Sequence, residues 1–150
     1  MTIQDQVVAA LTCWRENRGG KPQPAAMQSV MNVIMNRSAK TGNDPYTVCT
    51  THAQFSSMTQ PGPEDILWAT TTNVADWEAW QIAISLAAQA AAGTLTDITG
   101  LATLYYAPSS IQSTKTITIN GTVYPFPQGW KESVVVFTCE IGNQLFFREV

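Results

Sequence analysis

The sequence predicts an α+β fold, helical in its first two-thirds and β-structured after Gly100. Three observations carry that expectation. Apolar residues recur at helical spacing in three stretches before Gly93. A Thr-, Ser-, Pro- and Gly-rich segment, residues 44–73, interrupts them. Beyond Gly100, short β-prone runs flank Asn120-Gly121, a dipeptide that favours a two-residue hairpin turn because both positions accept positive φ.

In the first helix, Ile3, Val7, Val8, Leu11 and Trp14 define one apolar stripe. Small residues Ala9, Thr12 and Cys13 lie on the other side and suit a second packing surface. Glycines stop this helix between Asn17 and Gly20. Pro24 suits the first turn of a second helix, whose Met27, Val30, Met31, Ile34 and Met35 fill an i, i+3, i+4, i+7, i+8 pattern, with Gly42 and Pro45 closing it. Residues 44–73 then read as a long ordered excursion, usually a functional feature of a compact domain. A third helix places Trp77, Trp80, Ile84, Ala87, Ala88 and Ala91 on one side, stops at Gly93, and carries alanines that admit a close neighbour. Strands are expected at 103–106, 116–119, 122–124, 133–138 and 145–148, the last two joined through Gly142-Asn143. With no internal repeat and no linker, residues 1–150 are expected to form a single domain.

The chain has 150 residues, 45% of them hydrophobic, enough for a substantial core. Its longest apolar stretch, residues 82–93, is too short to span a bilayer, so no membrane insertion is expected. Residues 1–6 hold no basic residue and no long apolar run. The expectation is therefore synthesis in a host cytoplasm without a signal peptide, and any action on a periplasmic wall would follow release by another, holin-type route. Cys13, Cys49 and Cys139 form no C-x-x-C pair and are expected as free thiols. With a lone His52, neither a metal site nor a cofactor is expected. A net charge of −3 and a pI near 4.9 argue against a nucleic-acid partner, which favours a clustered basic face. No large symmetric hydrophobic patch is announced, and a monomer is expected.

The chemistry-bearing segment is Trp14-Arg15-Glu16-Asn17-Arg18-Gly19. Glu16 falls in the last turn of the first helix, where open carbonyls make the local potential negative. That potential, with partial burial in a cleft, favours a neutral, proton-donating carboxyl of the kind a glycosidic leaving group requires. Against this stands its angular position, roughly 170° from the centre of the apolar stripe at about 100° per residue, where most glutamates are simply solvated.

Five stretches in order resemble the SleB-like cell-wall hydrolase family, named for spore-cortex-lytic enzymes. The Glu16 segment is similar to its G-E-A-R-G-E signature. Residues 28–37, QSVMNVIMNR, resemble A-V-A-x-V-I-L-N-R. Tyr46-Thr47-Val48-Cys49 followed by Gln54-Phe55-Ser56 resembles P-x-T-V-C…Q-F-S. Residues 97–106, DITGLATLYY, resemble D-P-T-G-G-A-T-x-Y. Trp130 with residues 141–148, IGNQLFFR, resembles W…I-G-N-H-x-F-Y-R. The chain departs from these patterns at Arg15, Asn17, Gly20 and Gln144. Arg15, in place of glycine, could pair with Glu16 and favour its charged form unless the guanidinium points away.

The resemblance implies a lysozyme-like fold, peptidoglycan glycan strands as substrate, cleavage of the MurNAc–GlcNAc β-1,4 bond, and Glu16 as the acid. A phage or prophage endolysin acting in host lysis fits that reading. Gln54, Ser56, Thr103 and Tyr106 are the candidate substrate-binding residues, with Tyr106 rather than Tyr105 expected to face the cleft. Glycosidases commonly use two carboxyl groups. Glu64, Asp65, Asp76 and Glu78 are candidates for the second, but none stands in a matching motif, so the simpler expectation is a one-acid lytic transglycosylase. Hydrolytic muramidase chemistry, a catalytically inactive wall-binding module and a structural phage-particle protein remain alternatives.

Overall fold

Helix α1 (Ile3–Asn17) starts under a reciprocal cap. The Asp5 backbone N–H donates to the Thr2 hydroxyl (3.1 Å), while the Thr2 N–H and hydroxyl donate to Asp5 Oδ2 (2.7 and 2.8 Å). Asp5 Oδ1 accepts the Tyr46 N–H at 3.1 Å, tying this helix start to α3. The computed structural model describes residues 1–17, 21–51, 55, 58 and 74–150. These fall into two compact units, Met1–Ile98 and Thr99–Val150.

Burial raises the Asp5 pKa, but hydrogen bonds from Thr2 and Tyr46, with the N-terminal charge, outweigh it and hold the carboxyl below its ordinary value. Stability from this group is therefore full above the unfolded value near pH 3.8 and fades as pH falls through the lower folded value. Asp5→Ala is expected to cost about 1–3 kcal/mol at neutral pH. Urea unfolding at several pH values checks this, the gap from wild type narrowing in acid.

In the first unit α2 (Pro24–Thr41) contacts α1, α3 (Pro45–Thr50) and α4 (Val74–Ala92). Helix α2 opens with proline in its first turn and closes on Gly42, which takes φ 73° and donates its N–H to the Ser38 carbonyl. Its burial runs beyond one stripe: Met27, Ser29, Val30, Met31, Asn32, Val33 and Ile34 are all buried, whereas Met35, expected in the core, is half-buried. Asn32 uses its buried carboxamide to hold the chain after α4. Its Nδ2 donates to the Thr96 carbonyl and its Oδ1 accepts the Ile98 N–H, both at 3.1 Å. Helix α3 was not foreseen within the excursion. Asp44 caps it, its Oδ1 accepting the Thr47 N–H at 2.7 Å, and Pro45 occupies its first turn.

Two helix faces differ from expectation, for one physical reason. Ile3 is 80% and Val7 51% exposed, while α1 buries Asp5, Ala9, Ala10, Thr12, Cys13 and Trp14. On α4, Ala79, Ala83, Leu86 and Ala87 are buried, whereas Trp77 (51% exposed) and Ile84 stay at the surface. Helices packed through alanine and cysteine approach closely, and the larger residues are left at the rims of the contact. Trp14 is core, as expected. It is fully buried, its indole N–H donates to the Asp76 carbonyl (3.0 Å), and its ring meets Trp80 edge-on at 6.4 Å. No described helix is long and apolar enough to cross a membrane.

The second unit is β-structured, so the α+β expectation holds. Strands β1 (Leu104–Tyr106), β4 (Val135–Ile141) and β5 (Gln144–Glu149) form an antiparallel sheet in the order β1-β5-β4. Strands β2 (Thr116–Ile119) and β3 (Thr122–Pro125) form the foreseen hairpin, with φ 50° at Asn120 and 83° at Gly121. Phe147 lies at the centre of this unit's core. It stacks on Tyr106 (5.8 Å) and meets Phe126, Trp130 and Phe137 edge-on at 5.7–6.2 Å.

Candidate active site

Glu16 occupies the last turn of α1 and is half-buried. Helical spacing places it in line with Asp5, Ala9 and Thr12, the residues that α1 turns inward. The position that sequence reasoning set opposite the apolar stripe is thus the far end of the packed face. A carboxylate there leaves the core edge rather than standing on the solvent side. One end carbonyl counted as open is satisfied, since Asn17 Nδ2 donates to the Cys13 carbonyl at 2.8 Å.

Two buried thiols interact electrostatically with Glu16. Cys13 is fully buried and donates to the Met27 carbonyl at 3.1 Å. Its pKa is raised chiefly by burial, then by Cys49 and Glu16. Burial also pushes Cys49 up to about 11, with the Thr12 hydroxyl and Arg37 acting against it and Asp5 and Glu16 adding to it. Both groups stay protonated at neutral pH, which removes them as nucleophiles. Glu16 and Arg37 thus act in opposite directions on one buried thiol.

The neighbouring arginines make specific contacts. Arg15 Nη1 donates to Met58 Sδ at 3.2 Å. Arg37 stacks its guanidinium over the buried Phe55 ring, 4.8 Å from its centroid. Phe55 and Met58 are themselves joined, the Met58 N–H donating to the Phe55 carbonyl at 3.0 Å. A separate apolar groove of about 240 Å³ runs between α1 and α4, lined by Ile3, Val7, Trp80, Ile84 and Ala88 among others. Glu16 is not part of its lining, which is apolar apart from Gln6.

The other expected site residues fare differently. Gln54 and Ser56 lie outside the described residues, as do His52, Glu64 and Asp65. Thr103, in the second unit, is buried. Its N–H donates to the Phe147 carbonyl (2.9 Å) and its hydroxyl to Glu149 Oε2 (3.4 Å). Tyr106 corrects the expectation of a ring facing substrate. It is 7% exposed, its hydroxyl donates to the Pro125 carbonyl at 2.7 Å, and burial raises its pKa to about 12. β1 has turned this ring into the core of its unit, and the half-buried Tyr105 lies instead on Phe146 at 5.5 Å.

Sequence reasoning missed Arg37, Phe55 and Met58 as neighbours of the Glu16 segment. The readable signal was the placing of Arg37 and Phe55 at fixed positions within two of the resembled motifs.

Residues 22–147 match the family described as Cell Wall Hydrolase. The chain belongs to the cell wall hydrolase family. This agrees with the resemblance carried by the motifs, and it makes peptidoglycan the substrate class. The matched span includes Gln54, Ser56, Thr103 and Tyr106 and begins at 22, beyond Glu16. No curated protein and no solved structure matches the chain.

Proposed function

We propose that this cell wall hydrolase cuts the MurNAc–GlcNAc β-1,4 bond as a lytic transglycosylase, with Glu16 as its single acid/base. The observation that supports this reading is the half-buried carboxyl at the end of the inward face of α1, within electrostatic reach of the buried thiols Cys13 and Cys49. Protonated Glu16 gives its hydrogen to the bridging oxygen as the C1–O bond breaks, releasing the GlcNAc end as a neutral alcohol. The oxocarbenium charge left on the MurNAc ring is shared with the carbonyl oxygen of its own acetamide. The Glu16 carboxylate then takes the proton of the C6 hydroxyl, whose oxygen closes onto C1. Glu16 ends protonated, no water is consumed, and the product is a 1,6-anhydro sugar. Cuts made throughout a sacculus in this way end in lysis of the cell.

Hydrolysis at the same bond is the second reading, favoured by the presence of Asp76, a carboxylate whose Oδ1 is buried with no hydrogen-bond partner among the described residues. Mass spectrometry of muropeptides released from purified sacculi separates the two. Anhydro ends are expected. Reducing ends, heavier by one water, would replace this reading with hydrolysis.

A further inference from the structure

Within the first unit, two adjoining hollows lie where α4 passes the chain entering α2. One, of about 340 Å³, is lined by Lys21, Pro22, Glu78, Gln81 and Ile82. The other, of about 370 Å³, shares Gln81 and Ile82 and adds Pro24, Gln28, Ser85, Leu86 and Gln89. The shared residues make them one trough, and each part has the size of a small-ligand site, about 300–1,000 Å³. Glu78, Gln81, Ile82, Ser85 and Gln89 stand at i, i+3, i+4, i+7 and i+11 and so share one face of α4. That face runs for about 16 Å at roughly 1.5 Å per residue.

The chemistry of the trough is unusual for a solvated helix face. Past Glu78 its described lining carries no charged side chain, and its polar groups are carboxamides and one hydroxyl. Two of the carboxamides are held in place. Gln28 Nε2 donates to the Thr96 carbonyl at 2.8 Å, and Gln89 Nε2 donates to the Ser85 hydroxyl at 3.3 Å. Both bonds are made by the nitrogen, which orients the carboxamide oxygens as acceptors, and groups fixed beforehand lose less entropy on binding. Ile82, half-buried, and Leu86, buried, supply apolar surface between them.

We propose that this trough holds chains of N-acetylated amino sugars. An amino-sugar ring presents C–H groups on its faces and hydroxyls and an acetamide at its edge, without charge. Gln28, Gln81 and Gln89 pair with the acetamide and hydroxyls, while Ile82 and Leu86 meet the ring faces. The peptide stems of the same polymer carry amines and carboxylates, for which the trough beyond Glu78 has no counter-charge. Glu16 is not part of the lining, so the site stands whether or not Glu16 is the acid. It takes from the family only the class of polymer.

The test titrates the isotope-labelled full chain with a short oligomer of β-1,4-linked N-acetylglucosamine and follows side-chain amide signals by NMR. Those of Gln28, Gln81 and Gln89 are expected to shift saturably, with an affinity that salt barely changes. Gln81→Ala is expected to weaken binding by about three- to tenfold, the usual worth of a lost hydrogen bond. Ser85→Trp fills the trough and is expected to weaken it by about tenfold or more. Both positions are exposed, so the unfolding midpoint should hold.

Unmoved glutamine signals, or variants that bind like the parent, overturn the site. Equal binding of the de-N-acetylated oligomer, or displacement by free stem peptide, overturns the class of ligand. Glu16→Gln is expected to bind the oligomer as tightly as the parent does. Loss of binding in that variant puts the oligomer at Glu16 and overturns a separate site, whereas its catalytic rate decides the acid alone.

Discussion

Glu16→Gln is expected to lower the rate of sacculus solubilisation by about 10²–10⁴-fold, the usual contribution of a general acid to a difficult bond cleavage. Glutamine preserves the length of the side chain and its hydrogen-bonding capacity, and it removes only the transferable proton. Glu16 is half-buried at the end of α1 and is not part of the core proper, so the unfolding midpoint of the variant should stay close to that of the parent. Both measurements are needed on the same preparation. A variant that unfolds early is inactive for an uninteresting reason. One that keeps its midpoint and more than a few per cent of its activity removes Glu16 from the mechanism. Glu16→Asp provides a finer test. It keeps the proton but withdraws it by one methylene, and a misplacement near 1 Å can cost about 10²-fold.

The legible and illegible parts of the fold follow from the forces that set each element. The Asn120-Gly121 hairpin was readable because turn conformation is a local property, and both residues take the positive φ that the dipeptide announces. The central helix was readable because its apolar residues are large and periodic. The inward face of α1 was not, because periodicity weighs Ile3 and Val7 above Ala9 and Cys13, whereas close packing against α4 selects the small residues. The same weighting set Glu16 opposite the apolar stripe, although Ala9, Thr12 and Cys13 on its side were legible as a second packing surface. α3 escaped notice since six residues carry no period, although the Asp44 cap followed by Pro45 was visible in the chain. Leu101 shows how a motif outlives the residue that explains it. It takes φ 63°, a left-handed conformation, where the resembled motif has a second glycine. Tyr106 was assigned to the cleft from alternation alone, and alternation says which faces differ without saying which one is buried.

Phe147→Ala is expected to cost about 3–5 kcal/mol, the usual range for deleting a fully buried aromatic ring. Phe147 is 0% exposed, and four aromatic rings close around it from β1, β4 and the segment after β3. These neighbours are themselves tied down. The Tyr106 hydroxyl is held by the Pro125 carbonyl, and Lys115 reaches the Trp130 and Gln128 carbonyls while lying 5.5 Å from the Phe126 ring centroid. A side chain removed from such a ring of constrained partners leaves a hole that they are poorly placed to fill, so the cost should fall toward the upper end. Phe147→Leu keeps most of the buried volume and loses the stacked and edge-on geometry. It is expected to cost about 1–2 kcal/mol, and the difference between the two variants measures the cavity rather than the ring contacts. Urea unfolding followed by tryptophan fluorescence reports on this directly, because Trp130 is one of the contacting rings. A shift below about 1 kcal/mol for Phe147→Ala would mean that the cluster is not what holds the β-structured unit together. The result also bears on the resembled I-G-N-H-x-F-Y-R motif. Leu145, Phe146 and Phe147 are all buried in β5, and the Phe147 carbonyl receives the Thr103 N–H. On that evidence this part of the motif records the packing of the second unit, and its loss should reduce activity only in proportion to the molecules that unfold.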